Sequence, residues 1–316
     1  SSDVCSSDLS AVVVESQTDS IFRQYDLDEI VVTGTRTPKF LKDTPIQTRV
    51  ITSADIAKID ATNVQDLLQQ ELPGVEFSYS MNQRTHLNFS GFGGQSILFL
   101  VDGERLAGET MDDVDFTRLM MDNVERIEIV KGAASALYGS SASGGVINII
   151  TKKASKPWTL NLNGRLAKHG EQRYGGTFGL NSKHWSNMLS ANYNTTDNYS
   201  VNSGANPVTR VISTIYGNKT INTREQLTWK PSTALSFTGR AGYFFRETTR
   251  TIGQPERYRD FSGGLRMNWT MSAFDQLRVN YSFDQYDKSN YQTVRRLDIR
   301  SYSNVQNTVR ALYSHE

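Results

Sequence analysis

The chain of 316 residues has a single cysteine, Cys5, and four scattered histidines, His86, His169, His184 and His315. One cysteine excludes an internal disulfide framework and a cysteine-based structural zinc site, and histidines so far apart give little support to a metal centre. The formal net charge is +1, from 34 basic against 33 acidic side chains, so no overall field draws the chain toward nucleic acid. No run of about 18 apolar residues occurs, which argues against a membrane-spanning helix. A membrane-spanning barrel stays open, because its strands carry only alternating hydrophobicity. A mean hydropathy of −0.48 fits a soluble protein or such a barrel equally well. Patterning has to decide.

The most structured text is Asn123 to Lys152, NVERIEIVKGAASALYGSSASGGVINIITKK. Val124, Ile127, Ile129 and Val130 form one apolar run and Val146 to Ile150 a second, with Gly132, Gly139, Gly144 and Gly145 among small residues between them. The pattern predicts strand, turn region, strand. LFLVDGERL (Leu98 to Leu106) adds another strand with a turn at Asp102-Gly103, and DEIVVTGTR (Asp28 to Arg36) adds a short β-prone run after a polar tail. The tail itself opens with SSDVCSSDLS, a near-duplication without the apolar core of a signal peptide, and residues 1–27 are read as a partly non-native or disordered end.

Between these runs, IQTRVIT predicts a strand. A helix follows, with Thr52 or Ser53 as cap and Asp55 in its first turn. Ile56, Ile59, Val64, Leu67 and Leu68 recur at helical spacing, a break at Asp60 to Asn63 divides two short helices, and Pro73-Gly74 ends the second. Tyr79 to His86, YSMNQRTH, mixes aromatic, sulfur, basic and imidazole groups in a loop between strands, which suits either ligand contact or simple solvation. GFGGQS (Gly91 to Ser96) is not a dinucleotide loop, because a strand rather than a helix follows it. Gly139 to Ser143 is not a hydrolase elbow, because Ser143 stands where the second glycine belongs. Asp112, Asp113 and Asp115 lack calcium-loop spacing and are expected in a solvated loop before a helical turn at Phe116 to Met121. No catalytic constellation is present, so the chain is not read as an enzyme and no cofactor is assigned.

After Pro157 the text changes to period-two alternation. Trp158, Leu160, Leu162 and Leu166 alternate with polar residues, as do Leu235, Phe237, Ala241, Tyr243 and Phe245, then Phe261 to Met271, then Leu277 to Phe283. One such strand suits any half-exposed sheet. Several in series, tipped with Trp158, Trp185, Tyr193, Trp229 and Trp269, predict a transmembrane barrel with an aromatic girdle and a wet lumen. Asn181 to Lys183 and Lys230 to Thr233 read as short turns, and Thr195 to Arg210 and Thr248 to Arg259 as longer outward loops.

Taken together, the three runs and NVQDLLQQELPGVEF closely resemble TonB-dependent outer-membrane receptors. The resemblance covers Asp28 to about Lys153 specifically and the remainder by pattern. It implies an α+β plug domain, a small mixed sheet with short helices, over 36–156. A box-like segment (28–35) precedes it, and antiparallel barrel strands follow over 157–316. Eight or nine strands against about 22 in such receptors leave that barrel incomplete, so the chain is expected to be a fragment. Asp28, Glu29, Ile30, Val31, Val32 and Thr33 would be the box captured by TonB as an added strand. Tyr79, Met81, Arg84 and His86 would touch ligand. Ser90 and Lys131 stand where the family carries arginines that hold plug to barrel, and a lysine there lacks the bidentate fork. The implied activity is TonB-dependent import of a bulky scarce nutrient across a Gram-negative outer membrane by a lipid-embedded monomer. A ferric siderophore, a metal chelate, is the first choice of ligand, and haem or cobalamin follows. A passive plugged channel or adhesin is the alternative of another class.

Overall fold

In a computed structural model, the described residues are 30–31, 33, 39–40, 48–59, 63–79, 85–93, 96–106, 114–119, 121–131, 138, 142–203, 211–251 and 254–315. The chain opens with β1 (Ile30–Val31) paired antiparallel with β2 (Lys39–Phe40). β3 (Thr48–Thr52) leads into α1 (Ser53–Lys58), started by a capping box: Asp55 donates its amide to the Thr52 hydroxyl, and the Asp55 carboxylate accepts from Thr52. The Asn63 side chain caps α2 (Val64–Glu71) by accepting from the Asp66 amide at 2.8 Å. Gly74 then turns the chain at φ +85°, where an added Cβ would lie 2.7 Å from Ser90 Oγ.

Next come β4 (Val75–Tyr79), β5 (Thr85–Phe89), β6 (Phe92–Gly93), β7 (Ile97–Val101) and β8 (Glu104–Arg105). Two 3-10 turns, Phe116–Arg118 and Met121–Asn123, precede β9 (Val124–Lys131) and β10 (Gly145–Thr151). A five-stranded mixed sheet in the order β3-β9-β10-β7-β8 forms the centre of this half, with β10 and β7 parallel and the other pairs antiparallel. Both faces of β7 and β10 are covered, which is why these strands read as continuous apolar runs. Ile127, Ile129, Ile147, Ile149, Ile97 and Phe99 face a core completed by Val64, Leu67, Leu68 and Phe116. The opposite face carries a smaller cluster of Leu98, Leu100, Val130, Ala142 and Val146. Glu128 and Asn148 lie at paired positions within it, both fully buried.

The second half is an antiparallel sheet of eight strands. β11 (Trp158–Leu166), β12 (Gln172–Asn181) and β13 (Trp185–Thr196) run first, and β14 (Tyr199–Ser203) pairs with β15 (Val211–Ile215) as a separate hairpin. β16 (Asn218–Trp229), β17 (Leu235–Thr251), β18 (Gln254–Thr270), β19 (Asp275–Gln292) and β20 (Leu297–His315) complete the meander. Among the described residues the sheet is open, with β11 and β20 at its edges. Its convex face is apolar: Leu162, Leu265 and Val309 are 77%, 67% and 75% exposed. Trp185 stacks on Trp229 and Trp229 on Phe237, each 5.7 Å between ring centroids, and Tyr174 stacks on Tyr193 at 6.4 Å. Trp185 and Tyr193 stand eight residues apart on one strand, about 27 Å of chain or about 20 Å of height at a tilt of about 40°. That is close to the height of an outer-membrane apolar band.

Two expectations are corrected. Thr248 to Arg259 is not a loop: β17 runs to Thr251 and β18 starts at Gln254, so the stretch is a hairpin extension. At 17 to 19 residues, β17 to β20 exceed the ~9–11 needed to cross a bilayer. Asp115 is not solvated; it is 5% exposed, because Arg246 of β17 and Tyr286 of β19 close over it.

Candidate functional site

The polar, concave face of the wall packs against the first half of the chain through buried charge, and this interface is the best-formed candidate site. Asp115 caps the first 3-10 turn by accepting from the Thr117 amide and hydroxyl with Oδ1. Its Oδ2 accepts from the Tyr286 hydroxyl at 3.1 Å and pairs with Arg246 at 2.9 Å. Three residues on, Arg118 presents the opposite charge. Its Nη2 donates to both oxygens of Asp284 at 3.0 and 3.1 Å and lies 2.9 Å from Asp260. The guanidinium sits 5.0 Å from the Tyr286 ring, and the Arg118 carbonyl accepts from Asn222. Burial alone would lower the Arg118 guanidinium; the carboxylates of Asp260 and Asp284 outweigh it and hold the group above the ordinary arginine range. Asn192 reaches Asp122 on the second turn.

A second contact comes from the β7–β8 turn. Asp102 and Gly103 adopt φ +53° and +82°, the conformation of an Asp-Gly hairpin turn. Asp102 is tied back to Thr151 through the amide and hydroxyl of that residue. Outward, the turn meets a strip of arginines: Arg266 donates to the Asp102 carbonyl at 2.8 Å and lies 3.4 Å from Glu104, and Arg310 donates to the Gly103 carbonyl. Arg240 stands 3.9 Å from both Asp102 and Glu104, and Ser282 donates to Glu104. A small open crevice lies beside the turn, with Arg105, Arg224, Ser262 and Asp284 in its lining.

Toward the long-hairpin end cations lie on aromatic rings on both faces of the sheet, Arg246 and Lys288 with Tyr258 on the concave face and Arg257 and Arg259 in the outward-facing row. Arg246 is 4.1 Å and Lys288 5.2 Å from the Tyr258 ring, and Arg257 is 3.4 Å from Tyr291. Arg257 and Arg259 share Asp298.

Of the residues singled out in the sequence, Ile30 and Val31 form β1, opposite Phe40 and Lys39. Thr33 is fully buried: its amide and hydroxyl donate to Glu128 at 2.8 and 2.6 Å, its carbonyl accepts from Tyr138, and Asn148 donates to its hydroxyl. Asp28, Glu29 and Val32 lie outside the described residues, as do Met81 and Arg84. Tyr79 ends β4 and His86 lies exposed in β5, so the loop between them is narrower than expected. Ser90 occupies a left-handed turn position and donates its amide to the Gly74 carbonyl at 2.7 Å. Lys131 lies 5.3 Å from the Phe89 ring within the same half of the chain. Among the described residues, charged side chains that meet the wall include Asp102, Glu104, Asp115, Arg118 and Asp122. Sequence reading passed over Arg118 entirely. The only local signal is a charged residue beside an apolar one in a short turn.

Among the described residues no group of three or more histidine, cysteine or carboxylate side chains could hold a metal ion, and no helix is long and apolar enough to cross a membrane. Residues 41–146 match the family model described as TonB-dependent Receptor Plug Domain. That stretch is a plug domain of the TonB-dependent receptor type. The chain is 35% identical over 125 residues to the vitamin B12 transporter BtuB of Photobacterium profundum, covering 39% of this chain and 20% of that protein. It is 38% identical over 131 residues to BtuB of Vibrio cholerae, covering 41% and 21%. Plug and wall together are similar in fold to the ferric enterobactin receptor PfeA of Pseudomonas aeruginosa, with a TM-score of 0.63 at 19% identity over 89% of this chain and 46% of that one. The siderophore receptor PiuA of Acinetobacter baumannii gives 0.62 at 17% over 80% and 38%. The stretch matched in the curated relatives is about a fifth of their length. These relatives are transporters and receptors, not enzymes, and this chain's plug and antiparallel wall are similar in fold to part of the solved receptors.

Proposed function

We propose that this receptor chain takes part in TonB-dependent import of a bulky scarce nutrient across the outer membrane of a Gram-negative bacterium. The observation that carries the reading is the two-faced sheet: an apolar, aromatic-girdled convex face suited to lipid, and a concave face that holds the plug by buried ion pairs. Such a plug closes a lumen until work is done on it. The segment Asp28 to Thr33 is the handle. An extended strand ahead of the plug can add to a sheet of TonB through main-chain hydrogen bonds, and TonB brings the energy of the inner membrane to it.

A ferric siderophore is the preferred ligand. Arg246 and Lys288 on the concave face, set against Tyr258 with Tyr286 beside it, suit an anionic chelate with aromatic arms. Tyr79, Met81, Arg84 and His86 would meet it from the plug. Cobalamin is the second reading, favoured by the 35–38% identity of about 130 residues of the chain to BtuB. The test is binding and energy-dependent uptake by cells whose only such receptor is the full protein, offered ferric enterobactin and cyanocobalamin in parallel. Saturable, uncoupler-sensitive uptake of the first supports the siderophore reading, and of the second the cobalamin reading. Uptake of either that is indifferent to uncoupler and to loss of TonB would make the protein a passive plugged channel.

A further inference from the structure

Two polar residues sit where the apolar face of the plug sheet should continue. Glu128 and Asn148 are opposite each other on β9 and β10, each fully buried, among Leu98, Leu100, Val130 and Val146. Buried polar groups that interrupt an apolar face ask for a reason, since their desolvation has to be offset by hydrogen bonds. Here the bonds form a chain. Thr33, at the end of the amino-terminal segment, donates to Glu128 and accepts from Asn148 Nδ2 at 2.9 Å. Asn148 Oδ1 accepts from the Gly103 amide at 3.0 Å. Gly103 belongs to the turn that Arg266 and Arg310 hold against the wall.

We propose that Asn148 is a positioning residue that couples the anchor of the amino-terminal segment to the 102–105 turn. Seated Thr33 keeps the turn docked on the arginine strip, and withdrawal of Thr33 releases it, widening the crevice beside Glu104. One amide serves both contacts: its nitrogen holds Thr33 and its oxygen holds Gly103, so loss of the first bond frees the side chain that orients the second. The Asp115 and Arg118 contacts share no member of this chain and stay closed. The proposal gives direction to the reading of residues 28–33 as the segment that TonB pulls, and rests on it for its purpose, though the coupling itself needs neither TonB nor ligand.

Its test uses the full receptor in lipid vesicles, with Cys5→Ser and a reporter cysteine at Ser262 in the crevice lining, and reads the rate of labelling by a bulky maleimide. A second reporter, Thr220→Cys, stands two residues from the Asn222 that binds Arg118. Thr33→Val, which keeps the shape and removes the hydroxyl, is expected to raise labelling at position 262 about tenfold and leave position 220 at the parent rate. Thr33→Ser should keep the parent rate at both. In an Asn148→Leu background Thr33→Val should add nothing further. An unchanged rate at 262 in Thr33→Val overturns the proposal, as does an equal rise at both reporters, which would mean general loosening of the plug. Either result leaves the import reading standing, because that reading is decided by TonB-dependent uptake.

Discussion

Arg118 on the plug and Asp284 on β19 are separated by 166 residues in sequence and joined by two hydrogen bonds from one nitrogen, with both side chains buried. Asp260 completes the group. The pair is worth little as a gain in stability, because both charges give up hydration to make it. Its value is specificity of seating. A plug displaced by a few ångströms would strand a cation and two carboxylates in a poorly hydrated place.

That asymmetry predicts the outcome of replacing one partner. Arg118→Ala leaves Asp260 and Asp284 buried and facing each other, at an expected cost of about 3–5 kcal/mol. Arg118→Met combined with Asp260→Asn and Asp284→Asn should recover most of it. The measurement is the urea midpoint for proteolysis of the plug in the full receptor. A single replacement costing under 1 kcal/mol would mean that the group is hydrated.

Gly145 opens β10 at φ +141°, and a Cβ added there would lie 2.6 Å from the Val130 carbonyl oxygen on β9. The clash is with backbone in the centre of the plug sheet, so a flexible side chain cannot swing away to relieve it. Gly145→Ala should cost about 2–3 kcal/mol by the same midpoint, combining an unfavourable dihedral with a displaced strand pair. A midpoint within error of the parent would show that the two strands can part at that point freely.

Periodicity and turn chemistry made much of this fold legible in advance. Val124 to Val130 and Val146 to Ile150 are strands; Thr52 with Asp55 is a cap; the alternation from Trp158 onward sorts side chains between the outward apolar face and the face that meets the plug. These are local properties, carried within a few residues. The seating of the plug is not local. Asp284 reads only as one more polar residue on an alternating strand, and nothing within ten residues says that it will meet Arg118. Asn148 within Val146 to Ile150 reads as a lapse in an apolar run until the sheet order sets Glu128 beside it and Thr33 above. The expectation for Ser90 and Lys131 came from positions in a family pattern. In this chain they make a turn and a ring contact inside the plug.

Val31 pairs with Lys39 in β1–β2, so Ile30 and Val31 of the proposed TonB-binding segment are already paired as strand. A strand offered to TonB needs its amides, and proline removes one. Val31→Pro should abolish energy-dependent uptake while leaving the dissociation constant for ligand within about twofold. The pair of measurements matters: uptake lost together with binding would indicate a damaged plug, and uptake retained would remove residues 28–33 from the coupling step.

Leu265 lies between Phe261 and Trp269 on β18, on the outward face and four residues from each, which puts it near the middle of the apolar band. Its neighbour Arg266 points the other way, to Asp102 and Glu104. If the outward face meets lipid, Leu265→Arg should destabilise the receptor folded into a bilayer by about 2–4 kcal/mol, the cost of a cation near the midplane. The same change at Val294, 97% exposed between β19 and β20, should cost less than about 1 kcal/mol, because that turn lies beyond the band in water. Reversible folding into vesicles, followed by tryptophan fluorescence, gives both values. Equal small costs at the two positions would mean that water, not lipid, covers the outward face, and the barrel assignment of β11 to β20 would fall with it.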